Sequence, residues 1–209
     1  MDYTQLQQMR RYFQEREAGV MDAAKRFALF VPIKKIDGVP HVVFEVRSQH
    51  VPQPGEICFP GGSIDRTDAG AEAAAVRELC EETGVDASAV STYGELDYIV
   101  TPAKGMIRTF IGEIDPEALF SPNLDEVDHL FTVPVEQLLA AEPKTHPIHL
   151  EVKPPEDFPY HLIPHGKNYP WGRGSIQEVF YEADNYIIWG LTARVLYHAL
   201  KEMEKALVR

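Results

Sequence analysis

The chain has 209 residues, of which 44% are hydrophobic and 25% are charged, and its formal net charge is −12. This length suits one domain, or one domain with a short extension, and allows a core of ordinary size. The acidic balance argues against a nucleic-acid partner, and no apolar run approaches the roughly 18 residues that a membrane-spanning helix needs.

The first predicted element is an amphipathic helix over residues 3–18. Its apolar side carries Leu6, Met9, Tyr12 and Phe13. We expect residues 1–22 to be a helical extension that packs either on the main domain, residues 23–209, or on a second copy in a homodimer. The N-terminal segment contains no apolar signal core, and Cys58 and Cys80 lack metal-site spacing. Both features favour a cytoplasmic protein with reduced thiols.

A β-hairpin and a glycine loop are predicted next. The stretch RFALFVPIKKIDGVPHVVFEVRS contains two strands joined by a turn at Asp37–Gly38. Arg47 follows the second strand, where an arginine ordinarily forms a surface ion pair. Two prolines and a glycine at 52–55 then indicate a loop. The strand-like EICF is followed by two glycines, Gly61 and Gly62, in the sequence FPGG.

Residues 68–84, DAGAEAAAVRELCEETG, predict the helix around which the rest of the chain is organised. We expect Asp68 or Thr67 to cap its start, because a side-chain oxygen at that position can accept from a free backbone N–H. Gly84 is expected to end the helix in the left-handed conformation.

One face of this helix gathers Glu78, Glu81 and Glu82 at i, i+3 and i+4 spacing. Ala74 falls on the same face, so we expect nothing bulky to obstruct an approaching ligand. Three neighbouring carboxylates repel one another. Water tolerates that repulsion on an exposed charged stripe, whereas a divalent cation with oxygen ligands removes it. Both interpretations are open at this point.

The second half of the chain predicts more strands and a long final helix. VSTYGELDYIVT and KGMIRTFIGEI read as strands around a Thr101–Pro102 turn, and 135–140 as a short helix. Glu126 lies in an acidic loop that is ordinarily solvated. SIQEVFYEA is a further strand. The predicted terminal helix, NYIIWGLTARVLYHALKEMEKAL, places four residues at core spacing: Ile187, Leu191, Val195 and Leu196.

The helix and its loop resemble the signature of the Nudix hydrolases, which is a glycine, five residues, a glutamate, seven residues and then REUxEExGU, with U a bulky aliphatic residue. RELCEETGV, residues 77–85, matches the second half at every fixed position. The first half departs from it, since the glycine position falls on Ser63 and the early glutamate on Ala69. The wider stretch, with VRS, GEICFPGG and an aspartate before the helix, is similar to the coenzyme A pyrophosphatase branch.

This resemblance implies a fold and an activity. The fold is an α/β/α sandwich with a mixed sheet, a box helix and a long C-terminal helix. The reaction is hydrolysis of coenzyme A or acyl-CoA at the diphosphate, giving phosphopantetheine and adenosine 3′,5′-bisphosphate. Mg²⁺ or Mn²⁺ is implied as the cofactor. Two alternatives are a Nudix hydrolase acting on ADP-ribose or another nucleoside diphosphate derivative, and a non-catalytic nucleotide-binding protein on this fold.

The resemblance also implies roles for particular residues. Glu78 and Glu82 hold the cation, with Glu81 in reach. The general base is either Glu81 or Glu126. Gly61 and Gly62 let the backbone approach the diphosphate. The resemblance adds an alternative for Arg47, which is to order the box or to meet a phosphate.

Arg77 pairs with the early box glutamate in the family, and Ala69 cannot accept such a bond. We expect Asp68, Glu72 or Glu81 to replace that partner, or Arg77 to serve another one.

Overall fold

The computed structural model describes residues 2–17, 20–21, 25–101 and 104–208. These residues form eleven β-strands and four α-helices. The strands are β1 (Arg26–Ile36), β2 (Val39–Arg47), β3 (Ile57–Cys58), β4 (Gly61–Ser63), β5 (Val90–Glu95), β6 (Ile99–Thr101), β7 (Gly105–Ile114), β8 (Val127–Pro134), β9 (Lys144–Glu151), β10 (Arg173–Ala183) and β11 (Tyr186–Trp189). The helices are α1 (Tyr3–Glu15), α2 (Ala71–Thr83), α3 (Val135–Ala140) and α4 (Gly190–Leu207).

The strands form two sheets. The larger has the order β3-β2-β1-β7-β5, with β4 added to β1, β6 to β7 and β8 to β2. Its β1 and β7 run parallel, whereas the other pairs are antiparallel, so the sheet is mixed as expected. The smaller sheet, β11-β10-β9, is antiparallel. The hairpin turn falls at Asp37–Gly38, where both residues have positive φ.

Two apolar cores lie on the two faces of the larger sheet, because successive side chains of a strand point to opposite faces. On one face Ala28 and Phe30 of β1 pack with Leu79 of α2. On the other face Val31 and Phe44 pack against buried residues of α4, β10 and β11. The mixed sheet is thus held between the box helix and the C-terminal helix, which confirms the predicted sandwich.

The start of α2 differs from the prediction. The N-cap is Gly70, without a side-chain cap hydrogen bond, and the helix begins at Ala71. The expected cap at Asp68 or Thr67 is therefore wrong, because the Asp68 carboxylate is engaged by Arg77 instead. The end is as predicted, with Gly84 in the left-handed conformation. Ala74 is fully buried, so the expectation of open space above it is wrong as well.

Two further predictions need correction. α1 ends at Glu15, and its described side chains bury nothing against the main domain. Packing on a second copy in a homodimer, and the division between 1–22 and 23–209, stay predictions. The predicted terminal helix begins only at Gly190, because residues 186–189 pair with β10 as a strand. Ile187 is consequently exposed rather than in the core.

Lys34 ties β1 to the segment that follows β7. Its ammonium group donates hydrogen bonds of 2.7 to 2.8 Å to the carbonyl oxygens of Asp115, Pro116 and Ala118. The residue is 7% exposed. We expect Lys34→Met to lower the free energy of unfolding by about 2–4 kcal/mol, because partly buried carbonyl groups would lose charge-assisted bonds. Urea denaturation measures this, and a loss below about 0.5 kcal/mol, as at ordinary surface sites, would contradict it.

No helix among the described residues combines the length and the apolar character needed to cross a membrane. Cys58 and Cys80 are both free thiols. The expected cytoplasmic location stays a prediction.

Candidate active site

The glycine loop lies directly against the end of α2. The backbone N–H of Gly61 donates a 2.8 Å hydrogen bond to Oε2 of Glu82. A side chain at Gly62 would place its Cβ atom 2.3 Å from Oε1 of Glu78. A side chain at position 62 would therefore displace the Glu78 carboxylate from its place beside the loop.

The three glutamates of the box do not share one environment. Glu82 is buried, and the Glu78 side chain retains 15% exposure, with both facing the glycine loop. The Glu81 side chain is 54% exposed and pairs with Arg77. The helix face thus divides into two inner carboxyl groups and one outer carboxylate.

A fourth carboxyl group reaches this site from the sheet. Glu45 of β2 is 1% exposed, and it lies on the strand face opposite to Phe44, which places it beside Glu82. Glu126, in the turn before β8, adds a fifth, because its charge acts on both Glu45 and Glu78. Ser48 fixes that turn by donating two hydrogen bonds to its backbone: its N–H donates to the carbonyl of Glu126 and its hydroxyl donates to that of Asp125.

The crowding of carboxyl groups perturbs their ionisation. Burial, reinforced by the charges of Glu45 and Glu78, raises the pKa of Glu82 to about 9. Burial also raises the pKa of Glu45 and of Glu78. Glu82 therefore holds its proton at pH values where an exposed carboxylate is ionised.

The structure identifies the partner of Arg77, which the sequence did not determine. Its Nε donates to Oδ1 of Asp68 at 3.0 Å, and its Nη2 donates to Oδ2 of Asp68 and to the carbonyl of Ser63, each at 3.1 Å. Its Nη1 lies 3.0 Å from carboxylate oxygens of both Glu78 and Glu81. Asp68 thus takes the place of the missing glutamate, and Glu72 does not. These hydrogen bonds lower the pKa of Asp68.

A cavity of about 660 Å³ opens beside the glycine loop. Glu82 and Glu126 line one part of it, whereas Glu81 is not among its lining residues. Arg47 contributes a positive charge, and its Nε is fixed by a 2.9 Å bond to the carbonyl of Pro52. Lys25 and Lys104 add two more positive charges. The cavity therefore combines acidic and basic groups, as a site for a cation and an anionic ligand requires.

A larger groove, about 790 Å³, lies at the other end of α2. Its arginine, Arg108, is already paired with both oxygens of Glu95 at 2.5 Å. Tyr93, also in its wall, donates to Glu113. The smaller cavity is the better candidate, because Glu82, whose pKa is raised, lines it.

The chemistry of the site fits a hard divalent cation, since carboxylates with raised pKa exchange their protons for such an ion. The buried Oε2 atom of Glu45 has no hydrogen-bond partner. The side chains are not yet arranged as a chelate, because no three acidic, histidine or cysteine residues of the described ranges stand in metal-holding positions. The contact of Glu78 with Arg77 is one reason, as a cation would have to replace it.

We expect the metal-free protein to lose stability as pH rises from about 5 to 9. The pKa of Glu82 is raised from 4.5 to about 9 in the fold, so between these values the folded chain keeps a proton that the unfolded chain releases. Calorimetry in EDTA at several pH values measures the trend. Glu82→Gln should flatten it, and an unchanged slope in that variant would contradict the assignment.

Sequence reasoning missed three residues of this site. Glu45 had a signal, namely a charged residue inside the apolar run VVFEV. Lys25 and Lys104 had no such signal in the sequence, because only the pairing of β1 with β7 brings them to the same cavity. β1 and β7 are parallel neighbours with Arg26 opposite Met106, which brings the starts of both strands together.

Comparison with known proteins places the chain in a family. The sequence profile of the NUDIX domain matches residues 37–154. The peroxisomal coenzyme A diphosphatase NUDT7 of Mus musculus is 33% identical over 118 residues, which cover 56% of this chain and 50% of that protein. The uncharacterized Nudix hydrolase NudL of Escherichia coli (strain K12) is 29% identical over 174 residues, covering 82% and 79%.

Nudix hydrolase 3 of Caenorhabditis elegans is 33% identical over 123 residues, so the chain spans about half the length of this protein and of NUDT7. The crystal structure of a MutT/nudix family protein from Enterococcus faecalis has a TM-score of 0.49 at 14% identity, covering 98% of this chain and 70% of that one. The match to the domain profile covers more than half of the present sequence, and the chain therefore belongs to the Nudix family of hydrolases.

Proposed function

We propose that this chain is a divalent-cation-dependent diphosphatase that hydrolyses coenzyme A or acyl-CoA to phosphopantetheine and adenosine 3′,5′-bisphosphate. The observation that carries the reaction type is the meeting of Glu82, Glu78 and the Gly61–Gly62 backbone, of which Glu82 and both glycines line a cavity together with basic side chains. The choice of coenzyme A is supported by the similarity to NUDT7, which covers about half of each chain.

The groups in and beside the cavity have separate roles in this proposal. Glu82 and Glu78 hold Mg²⁺ or Mn²⁺, with Glu45 beside them and Glu81 outside. When bound, the cation neutralises the diphosphate and makes a water molecule more acidic. Gly61 and Gly62 leave room for the diphosphate to approach the backbone. Arg47 supplies positive charge to the same part of the cavity, and so do Lys25 and Lys104.

We assign the general base to Glu126. Its side chain lines the cavity, whereas Glu81 pairs with Arg77 on the outer side of α2. In the reaction, the water oxygen forms a bond to one phosphorus atom, the bridging P–O bond breaks, and Glu126 accepts the proton that water loses. Arg77 is a positioning residue in this proposal, since it joins the loop carbonyl of Ser63 to Glu78.

The assay that tests this function uses the purified chain with Mg²⁺ or Mn²⁺ and a panel of coenzyme A, acetyl-CoA, ADP-ribose and NADH. We expect phosphopantetheine and adenosine 3′,5′-bisphosphate from coenzyme A, identified by mass spectrometry, and no product when EDTA is present. If ADP-ribose were hydrolysed and coenzyme A were not, the proposed substrate would be wrong and the proposed diphosphatase reaction would stand. No product from any compound at micromolar enzyme would favour the non-catalytic alternative.

A further inference from the structure

Glu45 is the most completely buried charged side chain of the site. It lies on β2 between Phe44, which belongs to the opposite core, and Val46. Strand alternation turns its carboxyl group toward α2, where it meets Glu82. A carboxyl group at 1% exposure requires compensation, because removing its charge from water is costly.

The two oxygens of this carboxyl group differ in their hydrogen-bond partners. Oε1 accepts a 3.0 Å hydrogen bond from the thiol of Cys58. Oε2 is buried and has no hydrogen-bond partner. The guanidinium group of Arg47 is directed elsewhere, since its Nε donates to Pro52 and its Nη1 reaches Cys58 only at 4.0 Å. The remaining close neighbour is Glu82, which is itself acidic and forms a side-chain hydrogen bond with Glu45 when the two carboxyl groups share a proton.

We propose that the unpartnered Oε2 atom of Glu45 is a direct ligand of the divalent cation, in addition to Glu82 and Glu78. The inference rests on the proposed cation-dependent function. A cation would take the place of the proton that Glu45 and Glu82 share, and it would offset the negative charge of both carboxylates. Cys58 acts as the positioning residue, because its thiol holds the other oxygen and so orients the carboxylate.

Glu45 differs from the other acidic side chains near α2 in its burial and in the element that carries it. Glu81 and Glu72 also belong to the acidic side chains of α2, but both are exposed to solvent. Glu45 comes from the sheet and faces the helix, so its oxygen approaches the cation from a different direction than the box residues. A ligand set drawn from two elements would also fix α2 relative to β2.

Binding of Mn²⁺ to the metal-free protein, measured by titration calorimetry and by electron paramagnetic resonance of free Mn²⁺, tests the inference. We expect Glu45→Gln to weaken Kd by about 10- to 100-fold or more. The matched control is Glu72→Gln, an exposed carboxylate on α2, which should change Kd by less than about two-fold. An unchanged Kd in Glu45→Gln would overturn the proposal.

Thermal melting in EDTA separates ligation from a structural role. Gln keeps the shape of the carboxyl group and removes its repulsion with Glu82, so the metal-free variant should melt at the same temperature as the wild type or higher. A purely structural Glu45 predicts the reverse, namely a lower metal-free Tm with unchanged Mn²⁺ affinity, and this result would also overturn the proposal.

A crystal of the wild-type protein with Mn²⁺ gives a measurement that does not depend on any variant. The anomalous peak should lie within direct bonding distance of Oε2 of Glu45. A peak bonded to Glu82 and Glu78 but separated from Glu45 would reject this inference and leave the proposed function intact. Wild-type protein that binds no Mn²⁺ in solution would reject both.

Discussion

Glu82→Gln is expected to lower the Mg²⁺-dependent turnover of the diphosphate substrate by about a thousand-fold, because a cation at this position contributes several kcal/mol to the reaction. Glu82 is the carboxyl group that both borders the cavity and accepts from the backbone N–H of Gly61. Glutamine can still accept that hydrogen bond, but it carries no charge to hold a cation. The measurement is kcat with the substrate identified by the panel assay.

The same variant should fold normally. The pKa of Glu82 is raised to about 9, so at pH 7 the wild-type side chain is protonated in the metal-free protein, and the amide reproduces its shape. We therefore expect a metal-free Tm equal to that of the wild type, and a loss of the Tm increase that Mn²⁺ gives to the wild type. Near-wild-type turnover, or a retained Mn²⁺ effect, would remove Glu82 from the cation site.

The second large effect is expected at Glu126. Glu126→Gln should lower kcat by about 10²- to 10⁴-fold, which is the usual contribution of a positioned general base. Because the backbone around Glu126 is fixed by Ser48, the loop should keep its position in the variant. KM and the affinity for Mn²⁺ should change much less than kcat, since the lost group acts on water.

Glu81→Gln is the comparison that decides between the two candidate bases. Glu81 is bound to Arg77 and lies outside the cavity, so its loss should lower kcat by at most about ten-fold, through the weakened ion pair. The opposite order of losses would assign the base to Glu81.

Several elements could be predicted from local sequence because local physics decides them. The turn at Asp37–Gly38 and the helix end at Gly84 need backbone conformations that these residues adopt readily. The predictions failed where a distant partner overrode a local preference. Asp68 was a good N-cap residue, but Arg77 engages its carboxylate instead. Ile187 fitted the helical period, yet pairing of residues 186–189 with β10 made that segment a strand.

The sequence by itself determined the class of the protein, because RELCEETGV after FPGG fixes a helix with glutamates beside a glycine loop. It could not rank those glutamates, since helical spacing places Glu78, Glu81 and Glu82 on one face without saying which part of that face the sheet covers. Only the tertiary structure decided that Glu82 is buried, that Glu81 faces solvent and that Glu45 joins the site. The physical reason is that ionisation and ligation depend on burial and on neighbours from other strands, and the packing of α2 on the sheet sets both.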